Sequence, residues 1–474
     1  MPKGIAPNGA GGLTRAGGGA EKRASPDAPA FAASRTEHGP EGGGARNVAV
    51  EIGRDTASSA RPLGSESGLD PLEGHPRVTE IASARVVPDV AAVLPAQNDI
   101  GPTLPSVPDS PFKMRAPEIH KPILEQLGGT RESETAVERA LAYLASVQEE
   151  DGRWTFVNGN RRPPRNSQVR SHDSACSGLS ILAFLAQDHR PDKPGPYQQA
   201  IAKSLDFLLS QQTEDGDLRG PHRGGGADNA NMYDHAISTL ALAEAALMTR
   251  DPRYTAAALA GARFIVEAQD PRTGGWRYIP GEQGDSSVFG WQIMALHSAE
   301  QLGFEIPAAT RRGAIRYIAI SSRGNQHMLA GYQPRENPTA PMTAEITFAR
   351  MLLGQQLNED EADEVSAYLG RQPPQLNNPD IYYWYYGSLC MMQMQTESWK
   401  SWNTHTRDLL IRTQYRIGNL GYWDNLKWGD RGGRVFTTAM GALTLEVYYR
   451  YMPLQQKAEE AITAKAREGN GAAK

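Results

Sequence analysis

Ala258, Gly261, Ala262, Ile265 and Ala268 recur at the three- and four-residue spacing that lines one face of a helix. That helix is predicted to close at Gln269. Asp270, Pro271, Gly274 and Gly275 follow; Pro lacks an amide donor, and Gly readily takes the left-handed conformation that ends helices. A second helix is predicted from Asp285 or Ser286, either a good N-cap, through Val288, Trp291, Ala295, Ala299 and Leu302. Its remaining faces carry Phe289, Ile293 and Leu296. A helix that is apolar on most sides is buried on most sides. The first helix of the pair is therefore the outer one and the second the inner one.

The same pattern is written along the chain. Gln148 precedes Gly152 and Trp154, Gln211 precedes Asp215 and Gly216, Gln269 precedes Gly275 and Trp276, and Gln414 precedes Gly421 and Trp423. Between Gln269 and Gln414 there is room for two further units, AIRYIAISSRGNQ with PMTAEITFARMLLG and EVSAYLGRQ with DIYYWYYGSLCMMQM. Stacked repeats bury a core only against their neighbours. Six hairpins with one buried helix each are predicted to close into a ring: an all-α fold, the (α/α)6 toroid.

The segments QEEDGRW (148–154) and QDPRTGGW (269–276), with a longer insert from Gln414 to Trp423, resemble the signature of the prenyltransferase and squalene cyclase repeat superfamily. The resemblance spans roughly residues 133 to 454. It implies an (α/α)6 toroid in which the Gln and Trp tie outer helices together. It also implies an isoprenoid or other apolar ligand in the ring. The chemistry of the superfamily is not matched: there is no Asp-x-Asp-Asp acid motif, and Asp173 and Cys176 lack the Asp-x-Cys spacing of the zinc-binding members. Neither a metal nor a cofactor is expected.

Composition changes the picture at the ends. The chain has 474 residues, a net charge of -5 and 39% hydrophobic residues, but these totals average two unlike parts. Residues 1–128 carry GAGG, GGGA and EGGG runs and a single aromatic, Phe31, before Phe112. So little apolar surface cannot offset chain entropy, and disorder is expected there. The toroid is expected over 129–454 and a polar tail over 455–474. No apolar run approaches the roughly 18 residues of a membrane span, and no secretory pattern opens the chain, so a cytoplasmic location is expected. The slightly acidic balance, without a dense Lys/Arg stripe, argues against nucleic acid as a partner.

Candidate chemistry gathers where outer helices hand over to inner ones, because all such loops lie at one mouth of the ring. His172-Asp173, Asp234-His235 and Asp285 open three successive inner helices. Asp173, Asp234, His235 and Asp285 are the candidate acid/base residues, with His172 beside them as a substrate contact. The same Asp residues also suit simple helix capping. Tyr382, Tyr383, Trp384 and Tyr386, with Trp291, are candidates for an aromatic lining that would receive an apolar ligand or stabilise a cation; core packing is the plain alternative. Arg434 is placed either on a diphosphate or carboxylate or in a pair with Asp424. Three readings follow: an enzyme on an isoprenoid-like substrate using acids outside the superfamily's motifs, a non-catalytic toroid binding a ligand or protein partner, and a carbohydrate-active (α/α)6 barrel with Asp234 and Asp285 as paired carboxylates.

Overall fold

The computed structural model describes residues 112, 115, 120, 124–125, 127–157, 172–224, 230–424, 426–427 and 429–450. Among these residues, six helical hairpins form a closed ring. The outer helices are α1 (Arg131–Ser146), α3 (Gln198–Gln211), α5 (Pro252–Glu267), α7 (Ala308–Ser321), α9 (Glu359–Gly370) and α11 (Ser398–Thr413). The inner helices are α2 (Asp173–Ala186), α4 (Met232–Thr249), α6 (Ser286–Glu300), α8 (Ala340–Leu352), α10 (Ile381–Met394) and α12 (Gly429–Leu445), the last broken at Gly433 and followed by the short α13 (Val447–Arg450). Each inner helix packs against the next, and α12 packs against α2, so the predicted ring is closed. Among the described residues two small antiparallel hairpins decorate the mouth loops, β1 (Ser322–Arg323) with β2 (Leu329–Ala330) and β3 (Tyr415–Ile417) with β4 (Leu420–Tyr422).

Burial follows the apolar pattern. Every residue of α2 and of α10 is buried, whereas α1, α3 and α5 bury one face. The repeated Gln and Trp act as the ties expected of them. Each indole N–H donates to a carbonyl late in the preceding outer helix: Trp154 to Leu144 O (2.8 Å), Trp276 to Ile265 O (2.7 Å) and Trp423 to Leu410 O (3.0 Å). Helix ends leave such carbonyls unsatisfied, which is why an indole is useful there. Each Gln amide reaches the next outer helix: Gln148 to Ala200 O (2.8 Å), Gln269 to Thr310 O (3.0 Å) and Gln414 to Ala136 O (2.7 Å), the last joining the sixth unit to the first. In the second unit the tie is Gln212, to Ala257 O at 2.9 Å, rather than the Gln211 expected from the sequence; adjacent glutamines left the register ambiguous. The signature Gly has a steric reason. Gly152 and Gly274 have φ of 90° and 81°, and a Cβ on either would strike the backbone of the next outer helix, at Lys203 and Gly313.

One boundary differs from expectation. Phe112, Arg115, Leu124 and Leu127 fall inside the 1–128 span that composition set apart from the core, yet all four are buried against the ring. Too few apolar residues are spread over that span for composition to register them. Residues 1–111 and the expected tail 455–474 lie outside the described residues.

Candidate functional site

The sequence-predicted residues at the mouth separate into distinct sites. Asp234 belongs to a capping box with Asn231, whose side chain accepts from Tyr233 N while Asp234 Oδ2 accepts from Asn231 N at 3.0 Å. The same carboxylate reaches across to the first unit, accepting from Ala175 N (3.2 Å) and pairing with His172 Nδ1 (2.8 Å). His172 and Asp234 are thus brought together, both buried, with Phe156 against the imidazole. Asp173, one residue on, turns instead toward Arg153, 3.7 Å away, on the wall of a cleft of about 620 Å³ that also involves Ser174, Lys203, Phe207 and Arg219.

His235 opens the same helix as Asp234 but does not join it. A helix advances 100° per residue, which turns its ring away from Asp234 and toward α5. Its Nδ1 accepts from Leu218 N (3.0 Å), its Nε2 donates to Gly261 O (3.0 Å), and Phe264 packs on its face. Burial lowers its pKa from 6.5 to about 4.

Asp285 caps α6 by accepting from Val288 N at 2.8 Å. Its other oxygen accepts from the Tyr332 hydroxyl (3.1 Å), which in turn meets the Tyr278 hydroxyl (2.9 Å), and Arg277 Nε lies 3.4 Å away. Complete burial pushes its pKa from 3.8 up to about 7 despite the opposing Val288 amide and Arg277. Asp234 and Asp285 are therefore held in separate networks, each with its own donors.

The aromatic residues of α10 divide by face. Tyr382, Tyr385 and Tyr386, at positions one helical turn apart, face the axis. The Tyr382 hydroxyl donates to both oxygens of Glu345 (3.0 and 3.1 Å) and lies 2.5 Å from Ser287 Oγ, which accepts from Tyr233 (2.6 Å). Trp291 stacks on Tyr385, with ring centres 5.9 Å apart, and meets Tyr386 edge-on. Tyr383, expected in the lining, is turned outward: its hydroxyl donates to Leu369 O (3.2 Å) and its ring meets Trp402 of α11. Trp384 is fully buried and takes no part in the Glu345 hydrogen bonds among the described residues. Arg434 is engaged at the surface of the sixth unit, donating to Asp424 at 2.6 Å with its guanidinium over the Tyr422 ring.

Sequence reasoning passed over the buried acids. Glu244 and Glu345 each stand alone in an apolar inner-helix run and Glu446 stands alone between α12 and α13; a fully buried Glu is rare unless paired, which was the available signal. Burial drives the carboxyl of Glu345 well above the ordinary range. Burial acts the same way on Glu244, but the guanidiniums of Arg450 and Arg115 overcome it and hold that group below its ordinary value. The thiol of Cys176 is raised by burial, with Asp173 and Asp234 adding to the effect. Among the described residues there is no cluster of three or more His, Cys, Asp or Glu suited to a metal ion, and no helix long and apolar enough to cross a membrane.

No protein-family model matches the chain, and no curated protein matches it in sequence. Solved structures do match in shape. A variant of the α-1,6-mannanase GH76A of Salegentibacter is 9% identical, covering 67% of this chain and 98% of its own, with a TM-score of 0.47. The type II terpene cyclase MstE from Scytonema is 12% identical, covering 69% and 99%, with a TM-score of 0.43. Cellobiose 2-epimerase from Spirochaeta thermophila is 15% identical, covering 69% and 98%, with a TM-score of 0.45. Likenesses at this level carry nothing about chemistry.

Proposed function

We propose that the chain is a binding toroid whose ligand or protein partner meets the mouth face, while the ring's axis is a packed core and not a substrate chamber. The observation that carries this reading is the burial of Trp291, Glu345, Tyr382, Tyr385 and Tyr386, each at most 1% exposed. An isoprenoid chamber would leave such side chains bordering open space. The mouth face, by contrast, presents all four exposed large apolar side chains among the described residues, Ile279, Leu376, Tyr415 and Ile417, every one on an outer-to-inner loop. This reading takes these side chains, which share one end of the ring on three of its loops, as contacts for the partner. The cleft beside Asp173 opens on the same side and suits a polar group of that partner.

A second reading rests on Glu345. A buried acid whose carboxyl is pushed well above the ordinary range, under Tyr382 and Tyr386, is what proton donation to an apolar substrate would use, and it requires the aromatic core to open. Native mass spectrometry of the full chain with farnesyl diphosphate and with squalene separates the two. The binding reading expects no saturable adduct. An adduct that is lost in Tyr382→Ala would favour the enzyme and overturn the packed-core reading.

A further inference from the structure

The base of the ring, opposite the mouth, is closed by a side chain from outside the six hairpins. Arg115 is 1% exposed. Its Nη2 donates to Glu244 Oε2 (2.7 Å) and to Arg450 O (3.4 Å), and its Nη1 donates to Leu185 O (3.3 Å) and faces Met248 Sδ (3.4 Å). Every one of these groups belongs to the last turns of α2 and α4 or to α13. The Phe112 ring lies 3.8 Å from the same guanidinium. A planar fork of donors is thus received by a carboxylate and two converging carbonyls, a geometry that Arg satisfies and Lys does not.

The receptor is complete without this guest. Glu244 Oε1 accepts from Arg450 Nη2 at 2.7 Å, and Arg450 Nη1 also donates to the Tyr385 hydroxyl (2.9 Å). Withdrawing Arg115 therefore leaves a neutral Glu244–Arg450 pair and no orphaned buried charge, which removes the usual large penalty for breaking a buried ion pair. A second, independent feature points to surplus acceptor capacity. Glu446, one turn before Arg450 and fully buried, has no hydrogen-bond partner for either carboxyl oxygen among the described residues. Two buried carboxyl groups thus lie near Arg450 and Arg115, and burial pushes that of Glu446 well above the ordinary range despite both guanidiniums.

The geometry points to the base as a peptide site anchored by arginine, occupied in cis by this chain's own Phe112 and Arg115. Its other occupant would be a polypeptide presenting an aromatic residue three positions before an arginine in the same kind of turn, which Arg115 N closes here by donating to Phe112 O at 2.9 Å. The site lies at the opposite end of the ring from the mouth, so this inference and the mouth-face reading stand or fall separately.

The test is fluorescence anisotropy of a labelled peptide spanning residues 108–127, titrated with full-length chain. The Arg115→Ala chain, with its internal guest weakened, should bind the peptide saturably. The wild-type chain should bind it at least tenfold more weakly. A peptide carrying Arg115→Lys should lose at least tenfold, and adding Glu244→Gln to the Arg115→Ala chain should abolish binding. Equal affinity for the two chains, or for the Arg and Lys peptides, overturns the inference, as does absence of binding to a folded Arg115→Ala chain. Should that variant not fold, hydrogen exchange on the wild-type chain decides. Amides of the described residues between 112 and 127 should exchange at least tenfold faster than those of α4, and exchange at the rate of α4 would show the segment to be inseparable from the ring.

Discussion

Replacing Asp285 with Asn should make the protein more stable at alkaline pH and leave it nearly unchanged at acid pH. Burial raises the Asp285 carboxyl from 3.8 to about 7 in the folded chain. An acid that holds its proton more tightly when folded contributes stability that is complete below about pH 4 and is lost as the pH climbs through about 7. The rise of about 3 in pKa, at about 1.36 kcal/mol for each, makes that loss about 4 kcal/mol. The side chain is completely buried, so solvent screening does not reduce the figure. Asn keeps the oxygen that accepts from Val288 N and is as good an N-cap, but it carries no titrating proton. Urea unfolding of wild type and Asp285→Asn at pH 4, 5, 6, 7 and 8 gives the difference between the two chains, in which every other titrating group cancels. That difference should grow in favour of Asn by about 4 kcal/mol across the series. A difference that is flat with pH, or that favours Asp as the pH rises, would refute the assignment of a buried, destabilised carboxylate at this position.

Three further outcomes follow from the packing. Trp276→Ala, removing a buried indole that donates to Ile265 O and packs on Phe289, should cost about 3–5 kcal/mol in chemical denaturation; an unchanged midpoint would count against the tie. Gln212→Ala should cost about 1–3 kcal/mol by leaving Gly216 O and Ala257 O without their donor, whereas Gln211→Ala should stay within about 0.5 kcal/mol; the reverse ranking in thermal melts would restore the register expected from the sequence. A chain cut to residues 133–454 should fold but melt lower than the full chain, because Leu124 and Leu127 each lose burial of about 1.5–3 kcal/mol along with the Thr130 cap of α1. Equal stability of the two would mean that the segment adds nothing to the core.

The apolar pattern by itself determined the helices, their pairing and which member of each pair lies inside, since all of these depend on spacing within twenty or so residues. The Gln and Trp ties were legible for a related reason: each joins a helix end to its own turn or to the next unit, and the repeat displays the partner. What a side chain faces once inside was decided only by the tertiary structure. Asp234 and His235 are neighbours in the chain, yet one reaches His172 across the mouth while the other turns to Gly261, because a single helical step separates their directions. Tyr382 and Tyr383 part in the same way, toward Glu345 and toward Trp402. Arg115 shows the limit most clearly: its partner Glu244 lies 129 residues away, and no local periodicity can announce a guanidinium that gains its carboxylate only when the ring closes around it.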